Sequence, residues 1–141
     1  MIGSSDLMEL CGFDRKSLNN AIHLGFIHRE RRYHTGRAYQ YDLPGALAVY
    51  VFTSLANRGV RWVLAGEAHS KCSEILRENV DVSAIIILRL EGGEVRVVAS
   101  SGRYDFGDGT ADGLAIECVH IVRIEHKRRE IIERMAGASS H

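Results

Sequence analysis

Asp14-Arg15-Lys16-Ser17-Leu18-Asn19-Asn20-Ala21-Ile22-His23-Leu24-Gly25 reads as one short helix with both ends marked. Aspartate is a favoured N-cap, and Gly25 stands where a helix ends in the left-handed conformation that glycine adopts without strain. Leu18, Ala21 and Ile22 recur at helical spacing and define an inward face. Arg15, Lys16, Ser17, Asn19, Asn20 and His23 remain for the outward face, and every one of them is polar.

Upstream, Ser4 or Ser5 can cap a first helix running to Cys11, with Leu7 and Leu10 three apart on one side. Gly12-Phe13-Asp14 breaks it. Two short helices around a tight glycine-containing turn make a helix-turn-helix. Downstream, residues 26–31 read as a strand, residues 37–41 as its partner, and Tyr33-His34-Thr35-Gly36 as the turn between them, which together form a wing. Asp42 caps the next helix, in which Leu43, Leu47, Val51 and Leu55 recur every four residues until Gly59. A further amphipathic segment extends from residue 60 to about residue 79 and carries Trp62, Val63, Ala68, Cys72, Ile75 and Leu76.

The periodicity then changes to that of strands. Residues 84–90 form an apolar run, Gly92-Gly93 suits a hairpin turn, and Val95, Val97 and Val98 stand in the returning strand. Residues 100–113, rich in Gly, Ser and Asp, read as a mobile acidic loop. Leu114, Ile116, Cys118, His120, Val122 and Ile124 alternate with outward positions as a long strand, and residues 127–135 close as a short helix with Ile131, Ile132 and Met135 inward. The expectation is an α+β protein: a winged helix-turn-helix domain over residues 1–79, then a small antiparallel unit with a C-terminal helix over residues 80–141.

Composition is that of a globular chain, with 45% hydrophobic and 26% charged residues and one proline in 141 positions. The run Ala84-Ile85-Ile86-Ile87-Leu88 is too short to span a bilayer, and Met1-Ile2-Gly3-Ser4 lacks the basic start of a signal peptide, so a cytoplasmic location is expected. Cys11, Cys72 and Cys118 are odd in number and show no CxxC pairing, which suits reduced thiols. Net charge is zero, but its distribution is uneven. Residues 13–41 hold six basic side chains against Asp14 and Glu30, whereas residues 81–125 hold eight acidic side chains against four arginines. The N-terminal part is suited to meet an anion.

The order of these features resembles the MerR-like winged helix-turn-helix superfamily over residues 4–76. The resemblance is carried by Ser17-Leu18, Leu24-Gly25-Phe26-Ile27, Gly36-Arg37-Ala38-Tyr39, Asp42-Leu43 and the register from Leu43 through Gly59-Val60. It implies double-stranded DNA binding in transcriptional regulation. This chain departs from the family at Asn19-Asn20-Ala21, where its regulators typically carry Arg-Tyr-Tyr. No long heptad helix follows Leu76, so pairing of two copies must use another surface.

A recognition helix works because the major groove admits one helix whose polar side chains reach base edges. Asn pairs with adenine and Arg with guanine, so Arg15, Lys16, Ser17, Asn19, Asn20 and His23 are of suitable types. Arg29, Arg31, Arg32 and Arg37, with Tyr33, His34 and Tyr39, are the expected wing contacts to phosphates or the minor groove. Tyr39, Tyr41, Leu55 and Trp62 also suit a core joining wing to helix. Two other functions stay open from the sequence: a phage-type small terminase or excision factor that loads DNA machinery, and a protein-interaction module that has lost DNA binding. His69, Cys72, Cys118 and His120 would suit a zinc site if their elements met, but buried Cys and hydrogen-bonded His are the commoner roles. The acids between Asp105 and Asp112 lack the spacing of a calcium loop, and no phosphate-cradling loop, nucleophile elbow or HExxH is found. No catalysis, cofactor or metal is expected. Residues 85–88 are apolar in succession, so both faces of their strand need cover; a homodimer through residues 80–141 is the expected source, leaving residues 1–80 able to fold alone.

Overall fold

A computed structural model describes residues 1–28, 39–102 and 104–139. It is a mixed α+β fold. The elements are β1 (Ile2–Gly3), α1 (Ser4–Cys11), α2 (Arg15–His23), β2 (Gln40–Tyr41), α3 (Leu43–Asn57), α4 (Trp62–Glu78), β3 (Ala84–Leu90), β4 (Val95–Ser100), β5 (Thr110–Ala111), β6 (Leu114–Arg123) and α5 (Glu125–Ser139). No helix among the described residues is long and apolar enough to cross a membrane.

Local signals explain most of the boundaries. Asp42 accepts the Gly45 N–H at 2.9 Å and Pro44 occupies the first turn of α3, where a missing N–H costs nothing. The same carboxylate receives Arg77 of α4 at 2.9 Å and is held below its usual range by the hydrogen bonds from Arg77 and Gly45, which outweigh the opposing effect of burial. At the end of α2 the Phe26 N–H returns to Ala21 O and the Gly25 N–H to Ile22 O, with Gly25 at φ +83°. This glycine-terminated double closure satisfies carbonyls that would otherwise face solvent unpaired.

That closure also changes the expected wing. Phe26, Ile27 and His28 are not in a strand: the Ile27 N–H also turns back to Ala21 O, and the His28 N–H is taken by a side chain of α4. Gln40 and Tyr41 pair instead with Gly3 and Ile2 in a two-stranded antiparallel sheet, extended by the Ser4 N–H to Tyr39 O bond of 3.0 Å. The remainder of the expected wing, residues 29–38, lies outside the described residues.

The larger sheet has the order β4-β3-β6-β5, antiparallel throughout. Ile85 and Ile87 join Val122, Ile124 and Ile131 in one apolar core with Leu7, Leu18, Ile27, Leu47, Phe52 and Leu76. Residues on both sides of position 80 therefore share a single core, with β4 along α4 and both β6 and α5 against α3. Polar clasps reinforce the join: Lys127 donates to Leu10 O, Arg128 to Val80 O and Val82 O, and Arg134 pairs with Asp6.

The second sheet face is covered by the chain itself. Ile86, Leu88 and Leu90 are buried under Val98, Tyr104, Phe106, Leu114 and Ile116. The acidic loop expected to be mobile is thus seated on the sheet through a Tyr104–Phe106 ring pair at 4.8 Å. A bulge makes this possible. Arg89 pairs with Cys118 but Leu90 pairs with Ile116, leaving Glu117 as the extra residue. The even alternation read along residues 114–124 is broken there, so that Leu114 and Ile116 serve one face and Val122 the other.

Candidate nucleic-acid interface

Helix α2 is fixed from behind and free in front. Leu18, Ala21 and Ile22 are buried, while Arg15, Lys16, Asn19, Asn20 and His23 are exposed and Ser17 is half-buried. The turn before α2 is held by Gly12 at φ +61° and by the Phe13 N–H to Met8 O bond. Asn57 of α3 donates to Cys11 O and Gly12 O at 3.4 Å, tying that turn to the C-terminal end of a core helix. Asp14 occupies the N-cap position of α2, yet its carboxylate receives the Ser17 hydroxyl instead of a backbone N–H. Arg15 is steadied at 3.3 Å by Ser5 Oγ.

An aromatic hub sets the angle at which α2 is presented. Trp62, the first residue of α4, packs its ring against Phe13, Phe26 and Phe52 at centroid distances of 6.4, 6.1 and 5.7 Å. Phe13 precedes α2 and Phe26 follows it, so both ends of the helix are pinned on the same indole. Aromatic pairs of this geometry contribute about 0.5–1.5 kcal/mol each beyond their burial. Tyr41 and Leu55 are fully buried, and Tyr39 packs half-buried against the same core. Arg29, Arg31, Arg32, Tyr33, His34 and Arg37 lie outside the described residues.

The residues considered for zinc are placed in two groups. His69 is buried with both ring nitrogens engaged: Nδ1 donates to Ala48 O at 3.1 Å and Nε2 accepts the His28 N–H at 3.2 Å. Burial pushes its pKa down to about 4, and drives the Cys72 thiol up to about 12. Cys118 and His120 stand together on β6, Sγ to Nε2 at 3.5 Å. Among the described residues no group of three or more His, Cys, Asp or Glu side chains converges as a metal site would require. The loop acids are used locally, Asp105 by the Gly107 N–H, Asp108 by Thr110 and Asp112 by Arg96.

No family model, curated protein or solved structure matches the chain. Its chemistry is therefore carried by its own geometry. One feature escapes a reading of the sequence altogether: a cleft of about 760 Å³ where the α3–α4 turn meets the sheet, lined by Arg58, Arg61, Arg89 and His120. Its only local signal is Arg58-Gly59-Val60-Arg61 between two helices.

Proposed function

We propose that the chain binds double-stranded DNA through α2 and acts in transcriptional regulation. The observation that carries this reading is the division of α2 into a buried apolar face and an exposed one bearing Arg15, Lys16, Asn19, Asn20 and His23. Arg and Asn are the side chains that read guanine and adenine edges by paired hydrogen bonds, and a helix braced at both ends holds them at constant spacing. The excess of basic residues in positions 13–41 supplies the phosphate attraction. Binding by two copies at paired half-sites follows from the few base contacts one such helix can make.

Selection of bound fragments from random duplex DNA by the full chain, followed by titration of the enriched sequence at several salt concentrations, tests the reading. An enriched motif and an affinity that falls steeply with salt are expected, because each neutralised phosphate releases counterion. No enrichment, or an affinity indifferent to salt, overturns it.

A further inference from the structure

The cleft between the α3–α4 turn and the sheet has the size of a small-molecule site, about 760 Å³. None of the α2 residues lines it. Its apolar wall is Val60, Val63, Leu64 and Val95, and Val63 is 62% exposed. Three guanidinium groups, Arg58, Arg61 and Arg89, share the cleft with two carboxylates, Glu67 and Glu117.

These cations are poorly matched from within. Neither Arg58 nor Arg61 forms an ion pair among the described residues. Arg89 reaches Glu117 only at 3.8 Å, and its Nε is enclosed without a hydrogen-bond acceptor among the described residues. The three guanidinium groups outnumber the two carboxylates of the recess by one, which leaves it attractive to an anion, and an enclosed donor without an acceptor is costly until the side chain turns to one. Arg58 and Arg89 both act on His120 in the cleft wall, adding to burial in holding its protonated form down. Arg61 is also the N-cap of α4 and offers the N–H groups of its first turn no side-chain acceptor.

We propose that this cleft binds a small phosphate monoester with an apolar body, the phosphate held by Arg58, Arg61 and Arg89 and the body laid on Val60, Val63 and Leu64. Guanidinium groups pair with phosphate oxygens in a two-pronged geometry, which three arginines around one recess can supply from several directions. A concave site of this size fits a compact ligand better than the convex backbone of a duplex. The site is separate from the face of α2, so it stands or falls independently of DNA binding.

Phenyl phosphate and inorganic phosphate are titrated into the full chain at low salt, followed by calorimetry and by the fluorescence of Trp62, the chain's one tryptophan, next to Arg61. Saturable binding of phenyl phosphate is expected, tighter than that of inorganic phosphate. Arg58→Gln and Arg89→Gln should each weaken it by about tenfold, the effect of losing one charge-assisted pair. Arg89→Lys should retain part of the affinity, and Lys16→Gln on α2 all of it. Arg58 is exposed, so its variant tests the site without endangering the fold. Absence of saturation, or an affinity unchanged from the original chain in Arg58→Gln and Arg89→Gln, overturns the proposal. So does weakened duplex binding by Arg58→Gln in a chain that ignores phenyl phosphate, which would make the cleft part of the DNA interface.

Discussion

The imidazole of His69 accepts the backbone N–H of His28 at 3.2 Å, so the segment leaving α2 is hydrogen-bonded to a buried side chain of α4. The other nitrogen donates to Ala48 O of α3. One neutral ring thus joins three parts of the chain, and its neutrality has consequences for stability.

Burial, aided by the neighbouring His28 ring and opposed by the bond to Ala48, lowers the His69 pKa from 6.5 to about 4. Because the folded value lies below the unfolded one, the unfolded chain binds more protons between pH 6.5 and 4. The contribution of His69 is present in full above pH 6.5 and is lost as pH falls towards 4, amounting to roughly 3 kcal/mol over that window. Urea unfolding at pH 7.5 and pH 5 measures it. His69→Gln should be less stable at pH 7.5 but lose less on acidification, and equal losses in both proteins would refute the assignment.

Gly66 stands in the middle of α4, where alanine ordinarily stabilises a helix by about 1 kcal/mol. A Cβ there would lie 3.1 Å from Phe26 Cδ1, 3.2 Å from Phe26 O and 3.3 Å from Phe26 Cα. Two of those atoms are backbone, held by the Phe26 N–H to Ala21 O bond at the end of α2. Gly66→Ala is therefore expected to lower the melting temperature and to weaken DNA binding by displacing α2. A raised melting temperature would show that the segment yields freely.

Arg15→Ala and Asn19→Ala, both exposed on α2, should relax base preference at particular positions, each by about 1–3 kcal/mol if the side chain makes a paired base contact. Arg31→Ala and Arg37→Ala should instead weaken all sequences alike and reduce the salt slope by about one for each phosphate left without its arginine. Competition binding against single-base variants of the selected site separates the two patterns. Equal weakening on every sequence by Arg15→Ala and Asn19→Ala would remove α2 from base reading.

Removal of residues 81–141 should unfold the chain, contrary to what the expectation of an independent N-terminal domain implies. Ile85, Ile87, Val122, Ile124 and Ile131 are fully buried in the core shared with the helices. At about 1.5–3 kcal/mol for each buried aliphatic side chain, their loss is comparable with the whole stability of a domain, roughly 5–15 kcal/mol. A truncated chain with a cooperative thermal transition and native helicity would contradict this.

The self-covered sheet also changes the basis of the dimer expectation. Ile86 and Leu88 are buried to 2% and 1% exposure by Tyr104, Phe106 and their neighbours within one chain, so that surface demands no second copy. Val119 and Ile121 are the larger apolar side chains left open on β6, at 36% and 40% exposure. Sedimentation of the full chain at micromolar concentration measures association directly. A monomer without DNA that pairs on a two-half-site duplex is the expected outcome, and a dimer without DNA would contradict it.

What the sequence alone determined is the set of features written in neighbouring residues. Asp42 with Leu43, Leu47, Val51 and Leu55 specified α3, Gly25 the end of α2, and the apolar run of residues 84–90 the strand β3, because caps, left-handed glycines and periodicity act within a few positions. The outward face of α2 was legible for the same reason. Long-range geometry decided the rest. Gln40-Tyr41 could have paired with residues 26–31, but the Phe26 and Ile27 amides were already taken by α2, and Ile2-Gly3, nearly forty positions upstream, supplied the edge. The bulge at Glu117 has no composition of its own, and one added residue exchanges the faces of everything beyond it. Arg58, Arg89 and His120 come from a helix turn and two strands, and only the packing of those elements on one core brings their charges to a common cleft.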